Sequence, residues 1–175
     1  MGKRSSGSFE RQKRDFYPTP FSAVEPLLPH LSEKTVFDEP CAGNGVLVDH
    51  LEMSGHKCLR ATDLEPQRDD VGTFDVFDIE SCYGDCFITN PPWDRKFLHP
   101  LILHLCEIAP LWLLFDADWM HTRQATEYLP YCKKIVSVGR VKWIPDSPHT
   151  GKDNAAWYLF YTRTENSPVD FWGRR

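Results

Sequence analysis

Several features that often decide a sequence early are missing here. No apolar run approaches the roughly 20 residues of a membrane helix, and the first residues lack the apolar core of an export signal. The six cysteines (Cys41, Cys58, Cys82, Cys86, Cys106 and Cys132) form no CxxC pair, and no histidine pairing has zinc spacing. No metal site is expected. Most of these cysteines sit in apolar runs, where a free thiol behaves as a small hydrophobe, so a reduced, cytoplasmic setting is expected. Internal repeats are absent, and so is any linker that would divide the chain. An excess of positive charge is lacking too. Twenty Lys and Arg against 25 Asp and Glu leave a net charge of -5, which excludes coating of nucleic acid by bulk attraction.

What is present is the composition of an ordinary folded domain: 175 residues, 41% hydrophobic and 26% charged. The charge is unevenly spread. Residues 1–15 carry five bases and two acids, a local +3, among Gly and Ser, and read as a flexible basic tail. That tail is either simply solvated or an arm that touches phosphates. Between Asp63 and Asp85 lie eight acids and one base, Arg68. A phosphate backbone would avoid that stretch; a small cation would not.

From residue 16 onward the pattern alternates. Tyr17-Pro18-Thr19-Pro20 is extended and leads into a short helix over 22–31, with Ser22 as its cap. Strands are expected at 35–38, 57–62, 73–77, 86–89, 111–115, 134–138 and 156–162. Helices are expected after Gly45, after Asp94 and after Asp118. Only six residues separate Ile79 from the fourth strand, too few for a crossover helix. The last two strands have no helix between them and are expected to be antiparallel. This is an α/β domain over residues 16–165 with a seven-stranded, mostly parallel sheet and a C-terminal antiparallel hairpin, followed by an irregular tail over 166–175.

Ligands in such sheets bind beyond the carboxyl ends of the strands, and four features fall there. The first is Glu39-Pro40-Cys41-Ala42-Gly43-Asn44-Gly45, a glycine turn between a strand and a helix. Alone it is weak, because the third glycine of the dinucleotide fingerprint is missing. The second is Asp63, 20 residues after Gly43, the interval at which a carboxylate meets ribose hydroxyls. Asp78 is the third. The fourth is Asn90-Pro91-Pro92-Trp93, which ends the fourth strand. Two prolines stop sheet pairing and fix the backbone, so the Asn90 side-chain oxygen and the Pro91 carbonyl can face one cavity as two acceptors. Beside them Trp93 offers a flat apolar face. Two acceptors and a stacking platform suit a planar ring with an exocyclic amino group.

Together these motifs resemble the class I S-adenosylmethionine-dependent methyltransferases, and within them the amino-methylating group with an Asn/Asp-Pro-Pro-aromatic motif. The chain most resembles the small N6-adenine DNA methylases of phages and prophages, with the cofactor motifs ahead of the catalytic one. The resemblance spans Tyr17 to about Tyr161. It implies a Rossmann-like methyltransferase fold and S-adenosyl-L-methionine as cofactor. Tyr17, Thr19 and Pro20 match the N-terminal cofactor motif, and Asp38, Pro40, Cys41, Ala42, Gly43, Asn44 and Gly45 the glycine motif. Asp63 with Leu64, and Asp78 with Ile79, match the next two. Asp38 is expected to favour the cofactor's cationic end, Asp63 its ribose hydroxyls, and Asp78 its adenine amino group. Asn90, Pro91, Pro92 and Trp93 are the expected catalytic residues, acting on a flipped adenine, with Asn90 also beside the cofactor.

The loop from Arg140 to Asn154 reads either as a solvated hairpin or as the DNA contact, through Arg140, Lys142, Trp143, His149, Lys152 and Asn154. No separate target-recognition domain is expected, so specificity should be short or relaxed unless a partner subunit or a homodimer supplies it. The partners implied are DNA and no membrane. Two other readings compete. One is methylation of another amino group, on an RNA base or a protein glutamine. The other is a non-catalytic cofactor-binding subunit.

Overall fold

The structure, a computed structural model, describes residues 17–144, 151–163 and 168–174. The basic tail and His149 lie outside the described residues.

Three strands form the centre: β1 (Val36–Glu39), whose second half is two acids, and the near-continuously apolar β4 (Cys86–Thr89) and β5 (Leu111–Asp116). They pair parallel, β1 to β4 and β4 to β5, and β4 and β5 are covered on both faces, as their composition requires. Outside β1 lie β2 (Lys57–Asp63) and the two-residue β3 (Gly72–Thr73), both parallel. Beyond β5 lie β7 (Asn154–Phe160) and β6 (Cys132–Arg140), each antiparallel to its neighbour, and then β8 (Asp170–Trp172), parallel to β6. The sheet order is β3-β2-β1-β4-β5-β7-β6-β8. The expected hairpin is β6–β7, and the sheet has eight strands rather than seven. The eighth comes from the tail expected to be irregular.

The period of two along each central strand sorts side chains between two cores. Phe87, Leu111, Leu113 and Phe115 join α3 (Arg95–Ile108) on one face. Ile88, Trp112 and Leu114 join α1 (Phe21–Val24) and α2 (Val46–Met53) on the other. α3 presents Leu98, Leu101, Ile102, Leu105 and Cys106, all buried, at helical spacing. Asp94 caps it by accepting from the Lys96 amide at 3.1 Å, as its position implied, and the helix continues through Pro100. The Trp157 indole N–H donates to the Ala23 carbonyl at 2.7 Å, which fastens α1 to the sheet.

Several expected elements are corrected. The first helix is only Phe21–Val24, and its cap position is Pro20, not Ser22; a 3-10 turn follows at Leu28–His30 where Pro29 forbids α-helical bonding. The third strand stops at Thr73, and Val76–Asp78 is a 3-10 turn because Asp75 accepts from the Phe77 amide at 3.0 Å. The helix expected after Asp118 is three short 3-10 turns, Ala117–His121, Arg123–Glu127 and Leu129–Tyr131. There the Thr122 hydroxyl donates to the Trp119 carbonyl at 2.7 Å, which competes with helix continuation, and Pro130 closes the run. No helix among the described residues is long and apolar enough to cross a membrane.

β1 pairs with β2 on one side and β4 on the other, so chain direction around the sheet reverses between β1 and β4. A sheet of this kind opens a crevice at that point, beyond the strands' carboxyl ends. Those ends are Glu39 and Thr89.

Candidate active site

A cleft of about 510 Å³ lies there. Its wall begins at the end of β1 with Glu39, Pro40, Cys41, Ala42, Gly43 and Asn44. The turn is tight because Gly43 and Gly45 hold positive φ of 54° and 74°, a conformation that side chains disfavour. It is also tied to β2. Asp63 Oδ2 accepts from the Gly43 amide at 2.8 Å, its Oδ1 accepts from the Glu65 amide at 2.8 Å, and the Gln67 amide donates to the Gly43 carbonyl at 2.9 Å. Asp63 thus does two jobs at once: it braces the turn and lines the cleft beside Leu64. Tyr17 and Thr19 close one side, and Asn90 and Pro92 the floor at the end of β4.

Of the residues expected here, the structure gathers Tyr17, Thr19, Pro40, Cys41, Ala42, Gly43, Asn44, Asp63, Leu64, Asn90 and Pro92. Others stand aside. Asp38 is 1% exposed, yet it faces the opposite way, paired with Arg60 at 3.0 Å and accepting from the Tyr83 amide at 3.0 Å. Alternation along β1 is the reason: if Asp38 points to one face, Glu39 points to the other. Asp78 is exposed outside the cleft and Ile79 is buried in the core, because the 3-10 turn rotates Asp75, Val76 and Phe77 into the lining instead. Gly45 is covered by the Arg68 guanidinium, which a Cβ there would strike. Pro20 lies on the α1 side, and Pro91 is buried behind the cleft wall. Trp93 is half-buried beside Asn90 and packs against both cores.

Sequence reasoning missed Glu39 and Asp75. Asp75 left a local signal, the side-chain-capped turn pattern Asp75-x-Phe77; for Glu39, strand alternation shows that it and Asp38 face opposite ways but not which of them faces the cleft. It also missed Pro18, Leu47, Glu65, Gln67, Asp94 and Phe97, which complete the lining.

The electrostatics are one-sided. Glu39, Asp63, Glu65, Asp75 and Asp94 line the cleft, and among the described residues no Lys or Arg does. Glu39 is 1% exposed; its Oε1 accepts from the Cys41 amide at 3.2 Å, while Oε2 and the neighbouring Thr89 hydroxyl are buried without a hydrogen-bond partner. Burial pushes the Glu39 carboxyl up to about 8, and the Cys41 amide opposes that rise. A buried acceptor in this state calls for a donor, and best a cationic one. The Cys41 thiol is held well above its usual range by burial, then by Glu39 and Asp63, so it is not a nucleophile at neutral pH.

At the floor, the Asn90 carboxamide is gripped at both ends. Its Nδ2 donates to Thr19 Oγ1 at 3.0 Å, and its Oδ1 accepts from Trp93 Nε1 at 3.1 Å. Trp143 meets Trp93 at 5.6 Å with the rings at 88°. The β6–β7 loop therefore reaches the site, as the register requires: Ala155 pairs with Asp116 at the carboxyl end of β5, on the same side of the sheet as Asn90. Around Trp143, Arg140, Lys142, Lys152 and Asn154 are exposed. A second, shallower depression of about 700 Å³ lies at the opposite, amino-terminal ends of β4 and β5, beside Asp85 and Pro110, away from these residues.

No protein-family model and no curated protein matches the chain. Solved structures do. A candidate RNA methyltransferase from Pyrococcus horikoshii aligns with TM-score 0.55 and 18% identity, over 87% of this chain and 90% of that one. A candidate class I S-adenosylmethionine-dependent methyltransferase from Listeria monocytogenes aligns with TM-score 0.58 and 9% identity, over 93% of this chain and 67% of that one. The methyltransferase subunit of a type I restriction-modification system from Streptococcus thermophilus aligns with TM-score 0.55 and 10% identity, over 90% of this chain. This chain spans 46% of that subunit's length. At such identities the likeness is one of fold: the chain has the Rossmann-like fold of class I methyltransferases.

Proposed function

We propose that the chain is an S-adenosylmethionine-dependent DNA adenine N6-methyltransferase. One observation carries this reading: the Asn90 carboxamide is fixed at the floor of a cleft whose charged lining residues, among those described, are all acidic, at the carboxyl end of the strand beside the glycine turn. The cofactor fits the residues present. Glu39, with its orphaned buried oxygen, and the Thr89 hydroxyl would take the ammonium of the methionyl end. Asp63 would accept from the ribose hydroxyls, and Asp75 from the adenine amino group, with Leu64 and Phe77 against the ring. When bound, S-adenosylmethionine supplies a methyl group on a positively charged sulfur.

The chain's own residues then do little acid-base chemistry. An adenine amino nitrogen is a weak nucleophile because its lone pair is shared with the ring. Asn90 Oδ1 would accept one of its hydrogens, and the carbonyl of Pro91, whose ring is buried outside the cleft lining, would accept the other, leaving the lone pair free to attack. This is orientation and preorganised electrostatics rather than proton abstraction before attack; the proton that the methylated nitrogen then sheds goes to solvent. Trp93 would stack on the base, which has to leave its helix to enter. Arg140, Lys142 and Lys152, around Trp143 and Asn154, would meet phosphates. His149 is proposed with them on sequence alone.

The test is transfer of labelled methyl from S-adenosylmethionine to unmethylated DNA, RNA and total protein side by side, with the product nucleosides identified. N6-methyladenine in DNA alone is the expected result. Label in RNA or in glutamine would move the assignment to that substrate. Cofactor binding with no transfer to any of the three would make the chain a cofactor-binding subunit.

A further inference from the structure

A primary carboxamide has two ends of nearly the same shape, and half a turn about its last torsion exchanges an acceptor for a donor. Asn90 can accept from an amino group only if its oxygen, and not its NH2, faces the substrate. Something has to choose between the two orientations. The Thr19 hydroxyl cannot choose alone, since a hydroxyl serves equally as donor or acceptor. An indole N–H only donates. Trp93 Nε1 lies 3.1 Å from Asn90 Oδ1, and a flipped amide would set NH2 against N–H there.

We propose that the Trp93 indole N–H is a positioning donor that holds the Asn90 carboxamide oxygen-first toward the substrate. The proposal rests on the methyltransferase reading above, and adds to the stacking role of Trp93 one that another aromatic ring could not fill. The indole is placed to do it. Trp93 packs against both cores and against the Trp143 ring at 5.6 Å, so its N–H has little freedom to swing away. Thr19, 5% exposed, then accepts from Nδ2 at 3.0 Å as the second half of the same clamp. Asn90 Oδ1 has two lone pairs, and Trp93 occupies one; the other is left for an incoming amino hydrogen. The clamp joins residues 19, 90 and 93, so the N-terminal segment that lines the cleft also aims the catalytic amide.

The experiment separates an aimed amide from a stacked ring. Trp93→Phe keeps an aromatic face and removes only the donor. With the amide free to flip, kcat for methyl transfer should fall about 10- to 100-fold. KM for DNA and the Kd for S-adenosylmethionine should stay within about threefold, because the ring and the cofactor wall are intact. Thr19→Val should lower kcat in the same way, and Thr19→Ser should recover most of that loss. Independently of turnover, the Trp93 indole N–H resonance should be protected from hydrogen exchange in the wild-type protein and lose that protection in Asn90→Ala.

Full kcat in Trp93→Phe would overturn the proposal. So would a loss confined to KM, which is the mark of stacking, or an equally unprotected indole in wild type and Asn90→Ala. If Trp93→Phe fails to fold, the exchange comparison decides alone. A wild-type protein that methylates none of the substrates would instead bring down the methyltransferase reading, and this proposal with it. An active wild type with an undiminished Trp93→Phe would remove only the clamp.

Discussion

Replacing Glu39 by Gln removes one charge from the most deeply buried part of the cleft and leaves its shape almost unchanged. The magnitude follows from the burial. The carboxyl moves from 4.5 to about 8 on folding, a difference of about 5 kcal/mol between its two protonation states. The sign is set by which state holds the proton. Between pH 4.5 and about 8 the folded chain keeps it and the unfolded chain has lost it, so stability declines as pH rises through that window. Below the window the contribution is complete, and above it the decline stops. Glutamine does not titrate. The stability of Glu39→Gln relative to wild type should therefore climb by about 1.4 kcal/mol per pH unit between pH 5 and 8, then level off. Urea unfolding of both proteins at half-unit pH steps would measure it, since contributions common to both cancel in the difference. A difference that stays flat from pH 5 to 9 would refute the reasoning. A cationic ligand reverses the balance, because it binds the ionised carboxylate. Titration calorimetry should show wild-type affinity for S-adenosylmethionine rising up to about tenfold per pH unit below pH 8, with release of a proton. Glu39→Gln should bind more weakly and lose that dependence.

The remaining expectations separate neighbours. Asp75→Ala should weaken cofactor affinity about tenfold, the worth of one good hydrogen bond, while Asp78→Ala should leave it unchanged; equilibrium binding of the two variants decides between the two carboxylates. Asp38→Ala should cost about 3 kcal/mol of stability in urea unfolding, because it takes the carboxylate partner from the largely buried Arg60 and leaves it the Ser81 carbonyl and the Tyr83 ring, yet leave cofactor affinity near wild type. Asn90→Ala should reduce methyl transfer about 1000-fold with cofactor affinity held within about threefold, read from single-turnover transfer and equilibrium binding. Loss of both together would mean that Asn90 holds the fold rather than the substrate.

The contrast between Asp38 and Glu39 also shows where sequence reading ran out. The apolar runs at 86–89 and 111–115 identified the central strands because burial on both faces leaves no alternation to misread. The glycine turn, Asp63 and Asn90 were legible for a similar reason, since each marks a strand end with backbone chemistry of its own. Which of two adjacent acids faces the ligand depends on the pleat phase of β1, and that is set by long-range pairing, Asp38 with Phe87 and Glu39 with Ala61. Nothing local encodes it. The stretch from Asp75 to Asp78 misled differently: a two-residue strand and a 3-10 turn carry too few residues for any periodicity. The 3-10 turns after Asp116 were hidden by an expected helix start at Asp118 and stop at Pro130, which side-chain bonds to the backbone override. The Trp93–Asn90–Thr19 clamp could not be read at all, because it joins positions 71 residues apart through side-chain orientation.

The short β8 bears on how this protein behaves in company. Asp170–Trp172 lie along the outer border of β6, a nine-residue strand, and occupy the hydrogen-bonding positions at Lys134, Ile135 and Val136. Bare, that border would be a template on which another chain could add a strand. Three residues turn a sticky margin into a finished one. The cap pairs at three positions, and Trp172 also makes a ring contact with His30 at 5.0 Å. The far margin of the sheet is thus covered by a few residues that lie well away from the cleft at its centre.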